Sequence, residues 1–201
     1  MKSVYLVLDM QNDLVSEDGA NGKTPLGEQV RSRGVVAKTA AAIEKARAAG
    51  LTIGFVRVGF SPGYPECPPD SPVFAPAKQH GLFRLGTPGT EIHAQLGKRD
   101  GDWLVTKHRV SPFYATDLET LLRANRVERI FCSGVSTQLV VQALVRDGHD
   151  RDYRMVVIED CCAAASTQEH ANSIGSLRRL CEVVTSDAVD FAPGDAGSLP
   201  A

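Results

Sequence analysis

Six short apolar runs, at residues 3–8, 52–58, 103–106, 129–133, 154–158 and 183–185, alternate with stretches whose apolar residues recur at helical spacing. That rhythm admits few folds. Parallel strands need long crossover connections, and a helix is the usual crossover. Between the first two runs, Val36, Ala40, Ile43 and Ala46 form an apolar stripe, and Gly50 supplies a C-terminal stop. Thr116-Asp117-Leu118-Glu119 has the capping-box pattern and leads into Leu121 and Leu122. A third helix is expected from about Thr137, presenting Val140, Ala143 and Leu144 before Asp147-Gly148. Ser166 with Glu169 opens a fourth, carrying Ala171, Ile174 and Leu177. The pattern predicts one doubly wound α/β sheet with helices on both faces.

The rest of the composition narrows the function classes. A chain of 201 residues hides roughly 70% of its unfolded surface, enough for one sizeable core. We read a single domain over 1–191 and a flexible tail at 192–201. With 22 Lys and Arg against 24 Asp and Glu, the formal charge of −2 gives no basic footprint for nucleic acid or an anionic membrane. The first apolar run stops at Asp9, too early for a secretory or membrane-spanning segment. Cys67, Cys132, Cys161, Cys162 and Cys181 have neither CxxC nor zinc-type spacing, so five free thiols and a cytoplasmic location are expected. One segment breaks the rhythm. Seven of the eleven prolines fall within 60–100, which predicts a loop-rich excursion, either a lid or binding loop, or a packed surface insertion or oligomer contact.

In an open parallel sheet, ligands bind beyond the carboxyl ends of the strands. Three places there carry chemistry. Asp9 follows the first run directly, where burial and a neighbouring cation would tune its pKa for proton transfer, unless it only caps the turn. Lys107 ends the third run and would pair with Asp9, meet an anionic substrate group, or point to solvent. Ser133-Gly134-Val135-Ser136-Thr137 is a tight strand-to-helix turn whose backbone amides suit a carboxylate or an oxyanion, while Ser136 or Thr137 could simply cap the helix.

At these residues the sequence resembles the isochorismatase-like hydrolase family, which includes isochorismatases, nicotinamidases and N-carbamoylsarcosine amidases. The markers are Leu8-Asp9-Met10-Gln11-Asn12-Asp13, Gly86-Thr87-Pro88-Gly89-Thr90-Glu91-Ile92, Lys107 followed by Ser111-Pro112-Phe113, and Gly134-Val135-Ser136-Thr137. They follow the family order, and the resemblance extends from Val4 to about Phe191. The resemblance implies a three-layer αβα sandwich around a six-stranded, mostly parallel sheet, in a homodimer or homotetramer. It implies Asp9 and Lys107 as catalytic residues and a cis peptide at Val135–Ser136. It also implies an oxyanion or anion site at the backbone amides of Ser136 and Val140. Leu14, Arg57, Phe113 and Tyr114 are candidates for the substrate pocket, although a structural salt bridge is the favoured reading of Arg57.

One departure bears on mechanism. The amidase branch has its nucleophilic cysteine at the position of Val140, and valine offers no nucleophile. The resemblance to the branch without that cysteine points to vinyl-ether hydrolysis, with Asp9 as general acid and Lys107 positioning it. That branch has glycine at Val140, tyrosine at Ser136 and glutamine near Val58, so isochorismate itself is not the expected substrate. The expected ligand is a small, anionic molecule. No cofactor is expected, and no metal, because 57–64 lacks the Asp-x-His cluster of metal-dependent nicotinamidases. The alternatives are a non-catalytic binding or assembly protein that lost its nucleophile, and an amidase using a displaced cysteine. His170 is read as a packing residue at a helix start.

Overall fold

The computed structural model describes residues 1–192. The expected tail lies outside the described residues except for Ala192, whose carbonyl accepts from Arg129. Six strands form one sheet: β1 (Ser3–Leu8), β2 (Thr52–Val58), β3 (Trp103–Lys107), β4 (Arg129–Val135), β5 (Arg154–Ala163) and β6 (Glu182–Val184). Their order is β3-β2-β1-β4-β5-β6, and every pairing is parallel, so the sheet is wholly rather than mostly parallel.

Seven α-helices are described. α1 (Asn12–Val15), α2 (Pro25–Ser32) and α3 (Val35–Ala48) lie between β1 and β2, and α4 (Ala75–His80) between β2 and β3. α5 (Leu118–Ala124), α6 (Gln142–His149) and α7 (Thr167–Leu177) follow β3, β4 and β5. Two cores flank the sheet. On one face Tyr5, Val7, Phe55 and Phe131 meet α2 and α3 through Val30, Ala42, Ile43 and Ala46. On the other, Leu6, Leu8, Val56 and Val105 meet Leu118, Leu122, Leu144 and Ile174 of α5–α7. A parallel sheet is buried on both faces, and near-continuous burial along β1, β2, β4 and β5 follows from that.

Local differences from the sequence reading have physical causes. α3 enters through the left-handed Gly34 and turns Val35, Thr39 and Ala42 inward, leaving Val36 and Ala40 partly buried at the flank. At α5 the capping box is not made: Thr116 Oγ1 accepts from the Leu118 amide at 3.2 Å, while Glu119 pairs with Arg123 at 2.7 Å. Ser166 caps α7 as its pattern predicts, accepting from the Glu169 amide at 3.2 Å. β5 runs five residues past its apolar run because both interrupting carboxylates are satisfied. Glu159 meets His170 and Arg33, and Asp160 accepts from the amide and hydroxyl of Ser186, both at 2.7 Å.

The proline-rich excursion is a packed unit. Phe60, Tyr64, Cys67, Phe74, Ala77 and Phe83 form their own small core with Val58, and Phe60 meets Phe74 edge-on at 5.7 Å.

Candidate active site

β1 ends at Leu8, and Asp9 turns out of the strand with φ 54°, its amide still donating to the Val56 carbonyl at 2.8 Å. Lys107 closes β3, two strands away, or roughly 9.5 Å at ordinary strand spacing. A long side chain bridges that distance, and Lys107 Nζ reaches Asp9 Oδ2 at 2.9 Å. Asp9 is 5% and Lys107 2% exposed, so both are drawn out of water. Lys107 Nζ also donates to the Arg109 carbonyl at 3.1 Å. Asp9 Oδ1 is buried with no hydrogen-bond partner. Burial raises the Asp9 pKa, and the adjacent ammonium opposes that rise without cancelling it.

The third element is the turn leaving β4. Gly134 has φ 138°, and a Cβ there would lie 2.0 Å from the Leu8 carbonyl oxygen, so only glycine lets β4 pass this close to β1. The Val135–Ser136 peptide is cis, as the resemblance implies. The chain then makes a π-helical turn, Thr137–Val141, before α6. Ser136 makes no side-chain cap, and Thr137 Oγ1 bonds His170 Nδ1 at 2.9 Å instead.

Asp9, Lys107, Ser136 and Val140 line one cavity of about 260 Å³ at the carboxyl ends of β1, β3 and β4. Leu14 lines it too. The other three pocket candidates do not line it. Arg57 donates to Thr106 Oγ1 at 3.1 Å and to the Thr90 carbonyl at 3.2 Å, tying β2 to β3 and the excursion. Phe113 is buried in the core on the α5–α7 face, stacked on Tyr153 at 6.1 Å. Tyr114 is 62% exposed and outside the cavity lining, since the loop after β3 turns it outward. The excursion of this same chain supplies Val73, Phe74 and Phe83 to the cavity wall.

Several residues missed as site residues hold these parts in place. Gln11 is fully buried and makes two bonds to Val58, donating to its carbonyl at 3.0 Å and accepting from its amide at 2.9 Å. It thus completes the hydrogen bonding at the end of β2. Asn12 Nδ2 donates to the Pro88 carbonyl at 2.9 Å, and Asp13 Oδ2 accepts from the Phe83 amide at 2.9 Å. The Gln11-Asn12-Asp13 stretch therefore anchors the excursion over the cavity. His170 links the turn after β4 to the β5 charges: its Nε2 lies 3.0 Å from both Arg33 and Glu159. Burial lowers the His170 pKa, only partly offset by Glu159. The polar types at these positions were visible in the sequence; their partners lie 11 to 137 residues away and were not.

None of the five cysteines lines the cavity. Burial pushes the Cys132 and Cys162 thiols upward and those of Cys161 and Cys181 up to about 12. Cys67 packs in the excursion core and donates to the Phe74 carbonyl at 3.3 Å. Among the described residues, no group of three or more His, Cys, Asp or Glu is placed to hold a metal ion, and no helix is long and apolar enough to cross a membrane.

Residues 3–188 match the Isochorismatase domain family. An uncharacterized isochorismatase family protein, YecD of Escherichia coli O157:H7, is 33% identical over 178 residues, 87% of each chain. The ureidoacrylate amidohydrolase RutB of Methylorubrum extorquens is 30% identical over 191 residues, covering 89% of this chain and 75% of that one. In three dimensions, an isochorismatase family protein from Desulfovibrio vulgaris superposes with a TM-score of 0.82 at 27% identity, over 93% of this chain and 95% of the other. The N-carbamoylsarcosine amidase from Thermoplasma acidophilum gives 0.74 at 26% identity, over 94% and 99%. The parallel sheet, the strand-end Asp–Lys pair and these matches agree: the chain belongs to the isochorismatase family of hydrolases.

Proposed function

We propose that this protein hydrolyses a small molecule by proton transfer through Asp9, supported by Lys107, with no cysteine nucleophile. The observation that carries the reading is the buried 2.9 Å Asp9–Lys107 pair, with Asp9 Oδ1 unpartnered beside the cavity. A carboxyl pushed above its ordinary pKa gives and takes a proton near neutrality more readily than an exposed one. Lys107 limits that rise and holds the carboxylate in one orientation.

Vinyl-ether hydrolysis is the family chemistry that best fits a site without a thiol. Asp9 delivers its proton to the vinyl carbon, leaving an oxocarbenium ion. Water adds to that ion and returns a proton to the Asp9 carboxylate. The hemiketal then breaks its C–O bond to give a ketone and an alcohol. The Ser136 and Val140 amides are assigned to hold substrate oxygen. The high pKa values of Cys132, Cys161, Cys162 and Cys181 support a route that uses no thiolate.

The test is a turnover screen of vinyl ethers, amides and carbamoyl compounds with Asp9→Asn as control. Asp9→Asn is expected to abolish turnover, and iodoacetamide to leave it nearly unchanged. Alkylation that destroys activity, with substrate protecting against it, would instead establish a displaced cysteine. Stabilisation by ligand without turnover would make the protein a binding module.

A further inference from the structure

The charge inventory of the cavity says what kind of molecule fits it. Its apolar wall comes from Leu14, Leu26, Val58, Phe74, Phe83 and Val110. Lys107 is the one cationic side chain among the described lining residues, and its charge is balanced by Asp9 at 2.9 Å. Two of its three N–H bonds already go to Asp9 and to the Arg109 carbonyl. The remaining polar side chains, Asn21, Ser136 and Gln138, are all uncharged. An anion entering here meets no unbalanced positive side chain, and it leaves water for a largely apolar wall.

Two buried acceptors in the same wall have no partner: Asp9 Oδ1 and Gln138 Oε1. A buried acceptor without a donor is costly, so a ligand that brings an N–H or O–H gains what the protein leaves unsatisfied. Gln138 follows the cis turn directly, within the π-helical turn Thr137–Val141, so its amide is fixed to the same segment as Ser136 and Val140.

We infer that the site selects an uncharged molecule with an apolar body and an N–H or O–H donor, and that Gln138 is the residue that reads the donor. This proposal departs from the small anionic ligand expected from the sequence, and it rests on the reading of this cavity as the active site. A volume of about 260 Å³ suits a body no larger than a single substituted ring.

The experiment uses three probes of nearly one shape: benzamide, uncharged with a donor; acetophenone, uncharged without one; and benzoate, the anion. Binding is measured by calorimetry and thermal shift on the wild-type protein, Gln138→Leu and Asp9→Asn. Benzamide is expected to bind at least about tenfold more tightly than benzoate. Gln138→Leu should weaken benzamide by about three- to tenfold, the worth of one hydrogen bond, and leave acetophenone unchanged. Asp9→Asn leaves Lys107 unbalanced, so benzoate should gain affinity. Circular dichroism of both variants separates these effects from misfolding. Benzoate binding as tightly as benzamide, or no probe binding at all, would overturn the charge selection. Either result leaves the proton-transfer proposal to its own Asp9→Asn turnover test.

Discussion

Removing the amine while keeping the carboxylate separates what each member of the buried pair contributes. Lys107→Met leaves Asp9 buried without a counter-charge, which costs about 3–5 kcal/mol in comparable sites. Urea unfolding of Lys107→Met should show a loss of that size, and the double variant Asp9→Asn/Lys107→Met should recover much of it. A pair that is merely adjacent would give additive losses. His170 offers a second reading at this scale. Its pKa is lowered by burial, so the folded state favours the neutral ring. That contribution is fully present above the unfolded value of about 6.5 and is lost as pH falls through the lower folded value. Stability measured by chemical denaturation should therefore rise with pH up to about 6.5 in the wild type. In His170→Gln that part of the slope should be missing. Asp9 and Lys107 were legible as candidates from type and position, because each terminates an apolar run. The roles of Gln11, Gln138 and His170 were not. Each has meaning only through a partner, or the lack of one, across the fold.

Among the elements, the β1–β4 contact is the least forgiving. Gly134→Ala places a Cβ 2.0 Å from the Leu8 carbonyl oxygen and forces a side chain into φ 138°. We expect a loss of at least about 3 kcal/mol, since neither backbone can yield without breaking the ladder. Gly63→Ala is the matched control: its φ is 87° and its Cβ would meet nothing within 4 Å, so about 1 kcal/mol is expected. Thermal and urea midpoints of the two variants check the contrast. The inner strands β1, β2, β4 and β5 were visible from their apolar runs, because a strand covered on both faces needs apolar residues nearly throughout. The edge strands β3 and β6 are less buried and showed only through shorter runs. The end of β5 was hidden for the complementary reason. Glu159 and Asp160 look like a strand stop until Arg33, His170 and Ser186 are seen to satisfy them. The cap of α5 shows the same limit, since Thr116 and Glu119 fit a capping box in sequence and take other partners in space.

Across the whole molecule, protection should follow the sheet. β1 and β4 are paired on both sides and lie between two cores, so their amides should exchange slowest with deuterium. Residues 61–81, held by short helical turns and a small satellite core, should exchange fastest among the internal segments. Hydrogen exchange read by mass spectrometry tests that order, and equal protection of the two regions would mean the excursion folds as part of the main core. The excursion also marks the boundary of what sequence reading reached. Its prolines announced an irregular segment, yet lid and packed insertion remained equal readings until Asn12 and Asp13 were found to hold it over the chain's own cavity. By itself the sequence determined the α/β class, the strand-end Asp and Lys, and the absence of a thiol at Val140. Those follow from hydrophobic periodicity and residue type, which are local properties of the chain. Only the tertiary structure decided that the pair meets at 2.9 Å and that Arg57, Phe113 and Tyr114 stand away from the cavity. It alone showed that Lys107, the one cation lining the cavity among the described residues, is already paired with Asp9. Distance, burial and charge balance arise between segments far apart in sequence, and they exist only once the sheet has brought those segments together.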